Sequence, residues 1–464
     1  MNALAGIRHS ISGTIHRGRP PQFEVQNALT STGLVVDENA RFPVGSLGKV
    51  FTALAVLQAV ERGQLSFQTE LATLLPEVRL RSDFRSGQPI QIEHLLTHSA
   101  GLPTEVAAEE TFGRRWELDE LPRMLSGAAL IHPPGQRAQY SNVGYDLLGL
   151  VLQRISGQSF EDFMTERVFD PLGLEGTGYC FDEQTIPGDL GGADGALLRG
   201  PAFTNNDLPS GGLIMSAYAL SVFMQHLLHA GTEQSLLSAG VRERLTTASP
   251  YRPLPGVRQQ PGVPAMGFFV ERRCGAELPF HTGGKPGYLA YCHYLHDFAY
   301  FTLIAGPSLR SRVLWKQHVA GVERLLGVPD RADQDRDVER DFFGFASGDC
   351  LDELPAYEAS QAVLREFVGK YAVLGYYDIY FEIRAGCLYT DYGEMAELRA
   401  IGPAEFVAVR YLPGERVRFV WEADGSAIAG VYVSLTYHAK LRTEADVERH
   451  LALMARRFGA PKTS

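Results

Sequence analysis

Lysine is scarce, with six residues (positions 49, 285, 316, 370, 440 and 462) in a chain of 464. Arginine supplies the rest of the 43 basic residues, which face 54 acidic ones for a net charge of −11. That balance argues against broad nucleic-acid binding and against docking on anionic membranes. Cysteine is also sparse: five residues, at 180, 274, 292, 350 and 387, with no Cys-x-x-Cys pair. The odd number and wide spacing exclude a zinc knuckle and a disulfide framework, and suit reduced, mostly buried thiols. The N-terminal segment MNALAGIRHSISGTIHRGRP has no apolar run of signal-peptide type. No stretch approaches the roughly 20 apolar residues of a membrane span. The expected compartment is the cytoplasm. Gly-x-Ser-x-Gly and Gly-rich phosphate loops of Walker or Rossmann type are missing too, which removes the α/β-hydrolase elbow and common nucleotide sites.

What remains is ordinary globular material, 45% hydrophobic and 21% charged, long enough for two or three domains. Residues 1–45 read as short strands and turns. From Ser46 to Arg62 the period changes to that of a helix, with Val50, Leu54, Leu57 and Val60 in step and Gly63 as its stop. Residues 66–216 read as short helices broken by Gly- and Pro-rich loops, with a strong helix over 143–155 and another over 217–230. Strand-like runs follow at 267–271, 279–282, 289–295 and 300–305, then a helix over 313–326. The mixed-charge run DRADQDRDVERD at 330–341 reads as a solvated linker. Beyond Phe367 the period is two: Ile379, Phe381 and Ile383 alternate with Tyr380, Glu382 and Arg384. Short strands with regular Gly and Pro turns indicate a small antiparallel barrel or sandwich. A closing helix is expected after Thr443, with Val447, Leu451, Met454 and Phe458 on one face.

Three clusters can carry chemistry. Ser46 and Lys49 stand three apart at a helix start, within Gly45-Ser46-Leu47-Gly48-Lys49, so their side chains share a face. A neutral lysine amine beside a hydroxyl can take its proton and make a nucleophile of Ser46; read alone, the pair is equally a serine N-cap and a surface lysine. Tyr140-Ser141-Asn142 offers a phenol to relay a proton and an amide to hold the lysine or a substrate carbonyl. By themselves those residues also fit a core aromatic and a turn. Phe280-His281-Thr282-Gly283-Gly284 ends a strand in glycines, where a substrate backbone can come close and a free N–H can complete an oxyanion hole. His94 and His98, four apart, lack the glutamate of a metalloprotease helix. His293 and His296 fall on opposite faces of a strand.

Together and in this order, the three clusters resemble the serine β-lactamase and penicillin-binding-protein superfamily. The nearest branch is that of class C β-lactamase-related esterases, D-aminopeptidases and penicillin-binding-protein-type thioesterases. RFPVGSLGKVFTALAVLQAVERGQL resembles the nucleophile helix. HLLTHSAGLP, PPGQRAQYSNVGYDLLGLVLQRISGQSFEDFMTERVFDPLGL, SGGLIMSAYALSVFM and HTGGKPGY continue the likeness from about residue 40 to 328. The resemblance implies an α+β fold: an antiparallel sheet flanked by helices, with a helical region facing it. It also implies a lipocalin-like antiparallel β-barrel at the C-terminus. The expected domains are 1–328 (hydrolase, helical region about 66–216), 329–360 (linker) and 361–464 (barrel with closing helix).

Carried over, Ser46 is the nucleophile, Lys49 its base and Tyr140 the proton shuttle. Asn142, Gly283 and Gly284 bind substrate, and the N–H groups of Ser46 and Gly284 form the oxyanion hole. His281, counted with the catalytic residues, stands where many β-lactamases carry lysine, and this departure lowers the expectation of β-lactamase activity as the main function. The expected activity is hydrolysis of an amide or ester through an acyl-enzyme, with D-configured peptides as a subclass. The alternative is a thioesterase or transacylase that releases, cyclises or aminolyses an acyl or peptidyl group. A non-catalytic binding protein is a third possibility. No metal or organic cofactor is expected. The expected partners are a small-molecule or peptide substrate and, for the alternative, an acyl or peptidyl carrier protein, with no nucleic acid and no membrane.

Overall fold

The computed structural model describes residues 9–30, 34–85, 87–104, 116–191, 197–199, 206–251, 262–285, 287–306, 311–328, 356–373, 377–391, 395–408, 416–421, 427–433 and 436–440. The chain opens with β1 (His9–His16), β2 (Gln22–Gln26) and β3 (Arg41–Pro43). A single 3₁₀ turn, Gly45–Leu47, runs straight into α1 (Gly48–Glu61). Short helices follow: α2 (Leu71–Leu74), α3 (Ile92–Leu96), α4 (Leu121–Met124), α5 (Asn142–Ser156) and α6 (Phe160–Met164). After the small hairpin β4 (Asp189–Gly191) and β5 (Leu197–Arg199) come α7 (Leu208–Gly211), β6 (Ile214–Ser216), α8 (Ala217–Leu228) and α9 (Ala239–Thr246). The strands β7 (Val263–Pro264), β8 (Phe269–Arg273), β9 (Ala276–Lys285), β10 (Tyr288–Leu295) and β11 (Phe298–Ala305) lead to α10 (Ser311–Leu325).

Seven strands form one antiparallel sheet in the order β2-β1-β11-β10-β9-β8-β7. The N-terminal strand therefore pairs with the last strand before α10, across His9↔Ala305 to His16↔Phe298. This pairing closes the sheet over almost three hundred residues of chain, so it cannot be read from local pattern. The α+β fold of helices packed on an antiparallel sheet is the one expected.

α1 is buried on all sides, with Val50, Phe51, Leu54, Val56 and Leu57 at 1% exposure or less. A helix apolar all round belongs in the middle of a domain, not on its surface. The one-sided stripe expected from sequence is thus only part of its buried surface. Its stop is as read: Arg62 ends the helix, and Gly63 follows at φ +72°, a left-handed position that suits glycine.

On the sheet side facing α10, a buried polar chain joins the two. His293 Nδ1 lies 2.9 Å from His318 Nε2, and His293 Nε2 lies 3.0 Å from Glu271 Oε1. His318 Nδ1 lies 2.9 Å from Thr302 Oγ1. His293 is thus satisfied within the core, while His296 lies past the end of β10. The sulfur expectation needs correction. Cys180, Cys274 and Cys387 are exposed, and among the described cysteines only Cys292 is buried. The exposed ones sit at or beside turns, such as Cys274 between β8 and β9 at φ +50°, where no core reaches them.

The C-terminal strands are β12 (Gly369–Val373), β13 (Tyr377–Arg384), β14 (Cys387–Asp391), β15 (Met395–Ala400), β16 (Glu405–Ala408), β17 (Arg416–Trp421), β18 (Ile428–Val433) and β19 (Thr436–Lys440). Each pairs with the next, and β12 pairs with β19, so the barrel is closed. The alternation works as read: Ile379 and Phe381 are at 2% exposure, while Tyr380 is at 48%. α11 (Gln361–Phe367) brings Phe367 onto Phe419, ring centroids 4.3 Å apart. Tyr371, Phe381 and Phe406 pack around Phe419. The interior is occupied by side chains.

Ile401 and Val407 of the barrel region belong to the same buried cluster as the core around α1, and Arg81 pairs with Glu405 at 3.0 Å. Most of the expected linker (329–355) and the expected closing helix after Thr443 lie outside the described residues. Among the described residues no helix is long and apolar enough to cross a membrane.

Candidate active site

The site is assembled where α1, α5, α7 and β9 meet. Ser46 lies half-buried in the 3₁₀ turn, and neither that turn nor α1 has a side-chain cap. The N-cap alternative for Ser46 therefore fails. Lys49, in the first turn of α1, is at 0% exposure, so the surface-lysine alternative fails with it. Its Nζ lies 3.2 Å from Ser46 Oγ and 2.5 Å from Asn142 Oδ1, and it donates to the Ser210 carbonyl.

Counting protons on this amine is informative. The Asn142 amide oxygen and the Ser210 carbonyl can only accept, while the Ser46 hydroxyl can donate or accept. A neutral amine has two N–H groups and one lone pair. With the amine neutral, the two fixed acceptors take its N–H groups and the lone pair faces the Ser46 hydroxyl, whereas an ammonium donates to all three partners.

α5 places the second cluster. The Ser141 hydroxyl accepts from Gly144 N at 3.1 Å and donates to the Pro103 carbonyl at 2.6 Å. This N-cap fixes Asn142 at the first helical position and leaves Tyr140 just outside. The Tyr140 ring centroid lies 4.8 Å from Lys49 Nζ.

His98 stacks on Tyr140 with centroids 4.6 Å apart, and its Nδ1 accepts from Ser141 N at 3.1 Å. That bond leaves its proton on Nε2, and burial above all, with Lys49 after it, keeps the ring neutral, well below its ordinary titration range. The zinc-pair pattern of His94 and His98 is not realised. α3 ends at Leu96, His98 sits beyond it at φ +56°, and His94 Nδ1 accepts from Gln91 N instead. Among the described residues no group of three His, Cys, Asp or Glu is placed to hold a metal ion.

β9 closes the site from the sheet side. A methyl group on Gly283 would stand 1.8 Å from the Val44 carbonyl oxygen, and one on Gly45 would stand 2.6 Å from Gly284 N. Gly45 also has φ +55°. Two glycines thus let the nucleophile turn lie directly on the strand, with exposed Gly284 beside Ser46.

His281 is fully buried, and its Nδ1 donates to the Thr282 carbonyl at 2.6 Å. Burial first, then Lys49, push its pKa down to about 3. The ring is therefore neutral with its Nε2 lone pair unshared among the described residues, and it supplies no positive charge. Lys285 at the end of β9 does, paired with Asp207 at the start of α7. The expected residues Ser46, Lys49, Tyr140, Asn142, His281, Gly283 and Gly284 thus surround one point. Sequence reasoning missed His98, Asp207, Lys285 and the Ser210 carbonyl. The signals for them were the rarity of lysine, the placement of Lys285 in HTGGKPGY and that of His98 in HLLTHSAGLP.

This fold, with a serine and a buried lysine one turn apart at the head of its central helix, is of the β-lactamase and penicillin-binding-protein type. The chain belongs to the Beta-lactamase family, whose profile matches residues 15–297. It is 27% identical over 255 residues to Protein flp of Staphylococcus aureus (strain MW2), covering 52% of this chain and 48% of flp. The chain thus spans about half the length of that curated relative. Among solved structures, it matches SurE with a TM-score of 0.60 at 21% identity, over 94% of this chain and 95% of SurE. SurE has also been solved with D-Leu. A D-stereospecific amidohydrolase from Streptomyces sp. matches with a TM-score of 0.55 at 20% identity, over 65% of this chain and 91% of that one.

Proposed function

We propose that this enzyme cleaves an amide or ester bond of a peptide-like substrate through a Ser46 acyl-enzyme, with D-configured residues preferred. The observation that carries the reading is the Lys49 amine, buried and held 3.2 Å from Ser46 Oγ by two obligate acceptors.

Ser46 Oγ attacks the substrate carbonyl carbon as its proton passes to the Lys49 lone pair. The carbonyl oxygen becomes an oxyanion, held by the N–H groups of Ser46 and Gly284. The carbon–nitrogen or carbon–oxygen bond then breaks, and the proton passes from Lys49 through the Tyr140 hydroxyl to the leaving group. Water enters, gives a proton back along the same route and releases the acid and Ser46. Asn142 holds the amine throughout. His281, neutral and buried, shapes the wall beneath Gly283 without titrating. The likeness to a D-stereospecific amidohydrolase and to SurE solved with D-Leu supports the stereochemical preference.

The test offers the purified protein four substrates side by side: a D-configured peptide amide, its L counterpart, a simple ester and a peptidyl thioester. Faster turnover of the D amide than of the L amide, with free acid as product, is expected. A cyclised or aminolysed product formed from the thioester alone would replace this reading with that of a thioesterase or transacylase.

A further inference from the structure

Beside the Ser46 group lies an ion pair that the mechanism above does not use. Lys285 Nζ is paired with Asp207 Oδ1, with the two side chains at 10% and 18% exposure. The pair bridges two elements that each hold part of the site. On one side, Asp207 precedes α7, and its carbonyl accepts from Gly211 N at 2.7 Å and Ser210 N at 3.2 Å. The helix turn it starts presents the Ser210 carbonyl to Lys49 and the Pro209 carbonyl to Thr52 Oγ1 at 2.7 Å. On the other side, Lys285 directly follows Gly284, beside the nucleophile turn. The ion pair thus straps the segment that holds the base to the strand that holds the oxyanion position. The strap is tight: a methyl group on Gly211 would lie 2.8 Å from Asp207 Oδ2 and 3.5 Å from Lys285 Nζ.

The charges matter as well as the strap. Burial would raise the Asp207 carboxyl, but the Lys285 ammonium and, after it, Lys49 outweigh burial and hold it below the usual carboxylate range. The field that links Asp207 to Lys49 acts in both directions. Among the described residues, titratable groups around the amine include Tyr140 and Tyr145 by their rings, the neutral His98 and His281, and Asp146 on the same face of α5 as Asn142. The Asp207–Lys285 pair adds a carboxylate and an ammonium whose effects on the amine are opposite in sign.

We propose that Asp207 and Lys285 are positioning residues that hold the Ser210 carbonyl on the Lys49 amine and balance the charge that amine experiences. The proposal rests on the reading of Ser46 as nucleophile and Lys49 as base. Removing Lys285 leaves a bare carboxylate, which favours the protonated amine. Removing Asp207 leaves a bare ammonium, which disfavours it. The two changes therefore act with opposite sign, as loss of a merely structural strap would not.

The experiment measures the rate of Ser46 labelling by a neutral fluorophosphonate across pH 5 to 10. It compares the full-length wild type, Lys285→Met, Asp207→Asn, the double variant and Lys285→Arg. The acid limb is expected to move up in pH by about half a unit or more for Lys285→Met, and down for Asp207→Asn, as expected of a nearby partly buried charge. The double variant should return towards the wild-type position at a lower maximal rate, and Lys285→Arg should keep the wild-type limb. A limb that stays put in both single variants, or moves the same way in both, overturns the proposal. If a variant fails to fold, the double variant and Lys285→Arg still decide: a double variant whose limb lies far from wild type contradicts charge balance. Absence of Ser46 labelling in the wild type itself would instead strike at the reading of the site on which the proposal rests.

Discussion

Lys49 is a lysine with no exposed surface, and burying an amine is costly unless its hydrogen bonds are met. Here they are met by the Asn142 side chain and the Ser210 carbonyl, which leaves the Ser46 hydroxyl as the third neighbour. Both partners of this bond, Tyr140 and Asn142 were legible in sequence because each lies in a short contiguous motif. The Ser210 carbonyl was not, since every residue has a carbonyl and only the fold aims this one. His98 was visible but assigned to the wrong question, as half of a metal pair, because its true neighbour Tyr140 is over forty positions away.

The histidines also set the acid behaviour. Burial first, with smaller effects from neighbours, pushes His132 down to about 4 and His281 down to about 3. In the unfolded chain both would protonate near 6.5. Between these limits the unfolded state binds more protons than the folded one, so stability falls as pH falls below about 6.5. Each such histidine contributes a slope of up to about 1.4 kcal/mol per pH unit. Urea unfolding at pH 7, 6, 5 and 4 should show this loss, and His132→Asn should lower the slope by up to one proton. An unchanged slope in His132→Asn would mean that this ring is not held neutral.

At the scale of elements, the site depends on one close approach, that of the turn Gly45–Leu47 to β9. Both glycine positions sit in motifs that could be picked out by eye, but their function comes from backbone contact, which the sequence does not display. Gly45→Ala places a methyl group 2.6 Å from Gly284 N at a positive φ. The turn must retreat, and Ser46 leaves its place over Gly284. The account expects the variant to lose at least about 100-fold in acylation rate, in line with loss of oxyanion stabilisation, while its circular dichroism stays native. Activity within a few-fold of wild type would show that the close approach is not needed.

Other element-scale features divide according to whether a local rule governs them. The bounds of α5 and the alternation of β13 follow from a serine cap and a period of two. The all-round burial of α1 and the exposure of Cys180, Cys274 and Cys387 depend on what packs nearby, and there the local pattern gave a partial or wrong answer.

At the scale of the molecule, regular strands and marked turns beyond Phe367 left a barrel or a sandwich open, and the family resemblance supplied both the antiparallel sheet and the barrel; the structure has a seven-stranded sheet and a closed eight-stranded barrel. The pairing of β1 with β11 was beyond reach, because it joins segments almost three hundred residues apart that nothing local connects. That pairing nevertheless completes the sheet on which β9 lies, and so the floor of the site.

The central claim, a Ser46 nucleophile activated by Lys49, is tested most directly by intact-protein and peptide mass spectrometry after incubation with a fluorophosphonate. The account predicts one adduct on Ser46 in the wild type, none in Ser46→Ala, and a loss of labelling of several hundred-fold or more in Lys49→Ala. Labelling at another serine, or normal labelling of Ser46 in Lys49→Ala, would contradict it.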